Sequence, residues 1–141
     1  MITVDVSGML GFADSILAVG PRLEEEETAA FAEIGKVVVA KAQGKSSWSS
    51  RIPQTIHSYP RGLSVTLIAG EGESHPGEAA AYEHKGVGGT FRHPVYGNTK
   101  AWVNAQARPF MLPSVTESYA EMEALCERAA ETAIATLGGV V

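Results

Sequence analysis

The residues of this chain that could do chemistry are four histidines, one cysteine and sixteen carboxylates. A metal site on one helix wants two histidines four apart, as in H-E-x-x-H. Glu83-His84 has no second histidine at that spacing, and His75, His84 and His93 lie nine residues from one another. With His57, they predict loop and interface residues that make hydrogen bonds; a composite site built across loops is the enzymatic alternative. Cys126 is the single cysteine, which rules out an intrachain disulfide and a cysteine zinc cage. Its place beside Leu125 in a helical stripe predicts a small buried hydrophobe, since a reactive thiolate needs an accessible, electropositive setting. Gly44-Lys45-Ser46 resembles the end of a phosphate loop, but Val39 stands where the first glycine belongs. No serine sits in a G-x-S-x-G elbow. Glu24 to Glu27 read as a solvated first turn. Glu117, Glu121, Glu123 and Glu127 read as a solvated helix face, with Glu117 and Glu121 repelling at i,i+4. No catalytic residue, cofactor site or metal site is assigned.

The unusual feature is aromatic. Phe91-Arg92-His93-Pro94-Val95-Tyr96-Gly97-Asn98 is followed by Trp102 and then by Arg108-Pro109-Phe110-Met111-Leu112-Pro113. A small domain needs some of these for its core. Aromatics and arginine in a glycine-flanked segment are also what anchors one protein on another. Phe91, Arg92, His93, Tyr96 and Trp102 are the candidate subunit-interface residues.

The elements that must position them can be read from periodicity. Leu23, Ala30, Ile34, Val37 and Val38 form one apolar stripe, predicting a helix over 21–43. Pro21 suits its first position and Gly44 its C-cap. A shorter helix over 12–19 precedes it. Residues 54–59 and 63–69 read as a hairpin around a type I turn, Tyr59-Pro60-Arg61-Gly62. Residues 100–104 predict a further strand carrying Trp102. Seven of the fifteen glycines fall between 70 and 98, which predicts a long flexible loop with one helical turn near Glu78–His84. Ser114-Val115-Thr116-Glu117 has the pattern of a capping box. Val115, Tyr119, Met122, Leu125, Ala129, Ala133 and Leu137 then predict a second long helix over 114–137. The expected fold is α+β: two long helices on a small antiparallel sheet, in a single domain covering residues 1–141.

Composition removes several function classes. The chain has 141 residues, a net charge of −5 and 45% hydrophobic residues. That balance is neither a disordered chain nor a duplex-binding domain, which needs clustered Lys and Arg. No run is apolar enough to span a membrane. No basic residue precedes Arg22, so a secretory leader is not expected and a cytoplasmic product is.

The order of short motifs resembles a family. Ser50-Arg51-Ile52-Pro53 leads into strands; Tyr82-Glu83-His84-Lys85-Gly86, the F-R-H-P-V-Y-G block from Phe91 to Gly97, Trp102-Val103 and Pro109-Phe110-Met111-Leu112-Pro113 follow, then a terminal helix. Over residues 12–137 this looks like the small head–tail connector or tail-completion proteins of long-tailed bacteriophages. The resemblance implies a virion subunit without enzymatic activity. It implies a homo-oligomeric ring, commonly sixfold, in the neck, assembled in the host cytoplasm. Its partners would be the head-side connector or stopper and the tail tube or terminator, with DNA only passing through the lumen. The neighbouring role is a tail terminator capping the tube. The rivals outside the virion are a small metal- or histidine-dependent cytoplasmic enzyme and a non-viral protein-binding module.

Overall fold

The computed structural model describes residues 1–5, 21–75, 77–84, 89–95 and 98–138. The helix expected over 12–19 lies outside these residues, as does Tyr96. The chain enters through strand β1 (Ile2–Asp5) and forms helix α1 (Pro21–Lys45). A 3-10 turn (Ile52–Thr55) leads to β2 (His57–Pro60) and β3 (Val65–Ala69). Helix α2 (Glu78–His84), strands β4 (Thr90–Val95) and β5 (Asn98–Gln106), and helices α3 (Met111–Glu117) and α4 (Tyr119–Gly138) complete it. The α+β architecture with two long helices is the one the sequence predicts.

The strands form two antiparallel sheets. In the first, β3 lies between β1 and β2. Its side chains alternate: Val65, Leu67 and Ala69 are buried, while Thr66 and Ile68 are half-buried. The N-terminal strand β1 was not expected; Ile2 and Val4 alternate with polar residues, but four residues are too short a window for that period to stand out. In the second sheet β4 pairs, among the described residues, only with β5, so the two make a ribbon of their own.

Helix α1 is central. It packs on the first sheet along one side and on α3 and α4 along the other. Its buried stripe runs Leu23, Glu27, Ala30, Phe31, Ile34, Val38 and Ala42. Gly35 permits the close approach to the sheet: a Cβ there would sit 2.8 Å from Val65 Cγ2 and 2.9 Å from Ser58 Cβ. Across the core, Phe110, Met111, Val115, Met122 and Cys126 meet this stripe from α3 and α4.

Local chemistry moved several boundaries. Pro60 is the last residue of β2, opposite Val65, so the tight turn is Arg61–Ser64 and not Tyr59–Gly62. Arg61 and Ser64 exchange backbone hydrogen bonds at 2.9 and 3.2 Å. Gly62 takes the first loop position at φ 58°, the left-handed conformation that matches strand twist in a two-residue hairpin. Helix α1 runs through Gly44 instead of ending there. The Ser46 hydroxyl, donating to Ala42 O at 2.7 Å, and the Trp48 indole, donating to Lys45 O at 3.0 Å, occupy its last carbonyls.

In its described residues the stretch 70–98 is not a long loop. It holds α2 and β4. The Glu73 carboxylate accepts from the Gly77 and Ala79 N–H groups at the start of α2. Arg51 clasps Glu78 through Nε (3.1 Å) and Nη2 (2.6 Å). These charged bonds order a glycine-rich segment whose composition alone reads as loop.

The final helical region begins at Met111, not Ser114, and is divided at Ser118. Ser114 and Ser118 are both buried and donate back one turn, to Phe110 O and Ser114 O. Such back-bonding competes with the helix ladder and bends helices, which fits the break. Ser114 therefore caps nothing, and Glu117 pairs instead with Lys45 of α1 at 2.9 Å. Among the described residues no helix is long and apolar enough to cross a membrane.

Alanine at the two glycines of α1 should act in opposite directions. Gly35→Ala should lower stability by about 1–3 kcal/mol through overpacking against Val65. Gly44→Ala, where a Cβ meets nothing within 4 Å, should raise it by up to about 1 kcal/mol. Urea denaturation of both variants checks the pair; equal signs would contradict the close packing at Gly35.

Candidate functional site

The residues set aside for chemistry are dispersed or already engaged. His57 lies on β2 with its ring 6.4 Å from Tyr59. His75 is exposed beside the Ser74 hydroxyl at 3.1 Å, and His84 is exposed at the end of α2. Among the described residues no group of three or more His, Cys, Asp or Glu could hold a metal ion. Lys45 is bound to Glu117 and the Ser46 hydroxyl is turned into its own helix, so Gly44-Lys45-Ser46 forms no phosphate cradle.

Cys126 is buried in α4, as its sequence position predicts. Burial first, then the neighbouring Glu27 carboxyl, pushes its thiol pKa up to about 12. At neutral pH it is a protonated core residue and no nucleophile. Glu27 departs from the solvated turn expected of it. Four residues after Leu23 and four before Phe31, it stands in the buried stripe at 0% exposure. Neither carboxyl oxygen has a well-formed hydrogen bond. Burial raises its pKa above 4.5, partly offset by the Cys126 thiol.

What the fold does assemble is a ladder of rings. The Arg108 guanidinium lies 5.1 Å from the Trp48 ring centre. Trp48 meets Tyr82 at 4.5 Å, and Tyr82 meets the edge of Phe91 at 4.7 Å and 90°. Phe91 continues to His93 at 5.9 Å. The ladder thus runs from the end of α1, over α2, onto the inner face of the β4–β5 ribbon. The Arg108 N–H donates to Tyr82 O at 3.1 Å and the Ala107 N–H to Gly89 O at 2.7 Å, fixing the ribbon's base.

The ribbon's two faces differ. Register places Phe91 opposite Ala105 and His93 opposite Val103 on one face, and Arg92 opposite Asn104 and Pro94 opposite Trp102 on the other. On that outer face Arg92, Trp102 and Asn104 are exposed. Trp102 is 51% exposed, with the Arg92 guanidinium 5.7 Å from its ring centre. Of the expected interface residues, then, Arg92 and Trp102 share the outward face. Phe91 and His93 are half-buried on the inward one, where Phe91 anchors the ribbon. Trp48 was missed in the sequence; a lone tryptophan amid Ser46-Ser47 and Ser49-Ser50 was its signal.

Glu83 positions all of this. Buried at the end of α2, its Oε2 accepts from Phe110 N–H at 2.7 Å and Met111 N–H at 3.0 Å, and its Oε1 from Leu112 N–H at 2.8 Å. The fourth residue of that turn is Pro113, which has no N–H. The free donors at the start of α3 are therefore fully used by one carboxylate from another helix. The sequence signal was negative: Phe110 precedes the helix and offers no cap of its own.

Two measurements bear on these carboxyls. Glu83→Ala leaves three N–H groups without partners and should cost at least about 2 kcal/mol, with Glu83→Gln intermediate, in chemical denaturation. Glu27 should act in the other direction. Its folded-state pKa is raised, so its own contribution to stability is most favourable below pH 4.5 and is lost as pH rises through the raised value. Glu27→Met should abolish that slope and gain about 1–3 kcal/mol at neutral pH; a loss at neutral pH would mean the carboxyl has a partner after all. Compared with protein-family models, with curated proteins and with solved structures, the chain matches none.

Proposed function

We propose that this chain is a structural subunit of a bacteriophage neck, forming an oligomeric ring that joins the tail tube to the head-side connector and lets DNA pass. The observation that carries the reading is the β4–β5 ribbon: a two-stranded arm, anchored at its base by the ring ladder, with Trp102 and Arg92 held outward. Exposed tryptophan and arginine are the residue types that concentrate binding energy at protein interfaces. The family resemblance places its sharpest motif, Phe91 to Gly97, on the same segment. A helical body packed around α1 supplies the stiffness a ring subunit needs. Closed rings join one patch to a different patch on the next copy, and an arm beside a helical body offers two unlike patches. A net charge of −5 suits a lumen that must pass DNA without holding it.

The reading is tested by electron microscopy of the native tailed particle and of the purified chain, paired with light-scattering mass. A ring at the head–tail junction is the expected result. A chain that stays monomeric and never enters a tailed particle would overturn it. Arg92→Ala combined with Trp102→Ala should leave the circular dichroism spectrum unchanged and weaken ring formation.

A further inference from the structure

The pairing of β4 with β5 fixes which backbone groups of the ribbon face away from it. In an antiparallel pair, opposed residues alternate. One pair exchanges both backbone hydrogen bonds; the next points its N–H and C=O groups outward. The Ala107 N–H donates to Gly89 O at 2.7 Å, which makes that pair a bonded one. Along the register, Phe91–Ala105 and His93–Val103 are then bonded pairs, while Thr90–Gln106, Arg92–Asn104 and Pro94–Trp102 point outward. Pro94 agrees independently: it has no N–H, so it fits only where β5 requires none.

The two edges of the ribbon therefore differ. The outward row of β4 is Thr90, Arg92 and Pro94. A charge and a proline are two devices that keep edge strands from pairing. The outward row of β5 is Trp102, Asn104 and Gln106, each offering an N–H and a C=O. Ala101 to Gln106 holds no charge, proline or glycine. Trp102 to Gln106 lies in the regular part of the register, which shifts only between Pro94 and Val95. Trp102, Val103, Asn104 and Gln106 are exposed. The same edge is closed at Arg108, whose N–H donates to Tyr82 O at 3.1 Å. The open stretch, Trp102 to Gln106, spans about 13 Å at ~3.3 Å per residue.

We propose that this edge pairs with the same edge of a second copy: the two β5 strands run antiparallel about a two-fold axis at Asn104, joining two ribbons into one four-stranded sheet. The occupant must be an extended, uncharged strand with its own row of outward N–H and C=O groups. Among the described strands only β5 meets that need: β2 places Pro60 on its outward row, and β1 is four residues long and ends on Asp5. The row is also self-complementary. Asn104 opposes its own copy, and Trp102 opposes Gln106 of the second copy, giving three bonded pairs and about six hydrogen bonds. On the inner face Val103, 42% exposed, meets Ala105 of the second copy. The two Arg92 positions stand three strand spacings apart, about 14 Å, beyond the ~8 Å over which salt screens charge. A third strand also strengthens a ribbon that has only two. The contact is isologous and closes at two copies, so it stands independently of the ring reading.

Asn104→Pro in the full chain tests the contact. It removes an N–H that points away from β4, as Pro94 already lacks one on the opposite edge, so the ribbon should survive and the circular dichroism spectrum should not change. In sedimentation the native chain should form dimers, and the variant should do so at least about tenfold more weakly, having lost two bonds at the axis. Cross-linking reads the register without relying on the proline. Asn104→Cys should form a disulfide with its own copy under mild oxidation, because Cα atoms of a bonded pair lie ~5.5 Å apart. Gln106→Cys should not, because its copies stand about 13 Å apart. A native chain that is monomeric at every concentration, or a dimer unchanged by Asn104→Pro, would overturn the contact. Cross-linking through Gln106→Cys in place of Asn104→Cys would overturn its register. A monomeric native chain that binds an uncharged Thr-Val repeat peptide, with that binding lost in Asn104→Pro, would give the edge to a foreign strand and overturn the second copy as its occupant.

Discussion

The Glu83 carboxylate holds the rest of the structure in place. A helix start leaves backbone N–H groups unpaired, and when that start is buried the cost of leaving them so is high. Here Phe110 and Met111 are core residues, so water cannot serve. The solution is a charged acceptor brought from α2, which binds the three N–H groups of Phe110, Met111 and Leu112. A carboxylate at that end also complements the helix dipole. The consequence reaches beyond α3. Fixing α2 against α3 brings Tyr82 O to the Arg108 N–H, and Tyr82 carries Phe91 and hence the ribbon. The direction of the arm thus depends on a bond made in the core.

The same device recurs at smaller scale. Glu73 takes the N–H groups that open α2, Glu78 takes the fork of Arg51, and Glu117 and Glu121 cross to Lys45 and Lys41. The first two fasten backbone or arginine with directed geometry and order the segment around them. The lysine pairs are partly exposed, and such pairs contribute little each; they set which flank of α4 faces α1 more than how firmly it is held. Glu27 is the exception. It occupies a stripe position that leucine would fill, with a high-pKa thiol beside it. The two helices are therefore joined less tightly at this position than an apolar residue in the stripe would allow.

How much was legible in the sequence follows from the range of the forces. Helices α1 and α4 and strand β3 were legible because their burial follows a local period: Ile34 and Val38, Met122 and Ala129, Val65 and Leu67. The capping of α3 was not, because Glu83 and Phe110 are 27 residues apart and nothing in either neighbourhood names the other. Ser114-x-x-Glu117 matched a local rule and lost to that distant bond. The glycines between 70 and 98 argued for a loop by composition, while Glu73 and Arg51 made the ordering contacts. Glu27 was hidden by company: beside Glu24, Glu25 and Glu26 it read as solvent-facing, although its step from Leu23 and to Phe31 placed it inward. Of the candidate interface residues, identity could be read but facing could not. Alternation along β4 requires a register, and only pairing with β5 sets Arg92 outward and Phe91 inward.

The β4–β5 arm depends on its base more than on itself. A free two-stranded ribbon is a marginal structure in water, and an exposed tryptophan beside an arginine invites unspecific association. The segment between Glu83 and Glu117 holds no carboxylate, so no ion pair forms within it. What steadies the arm is the ladder at its base, where Phe91 meets Tyr82 and the Ala107 N–H reaches Gly89 O. The Tyr82 carbonyl is held in turn by the Arg108 N–H, so Glu83, by fixing α2 on α3, sets the angle from which the arm starts.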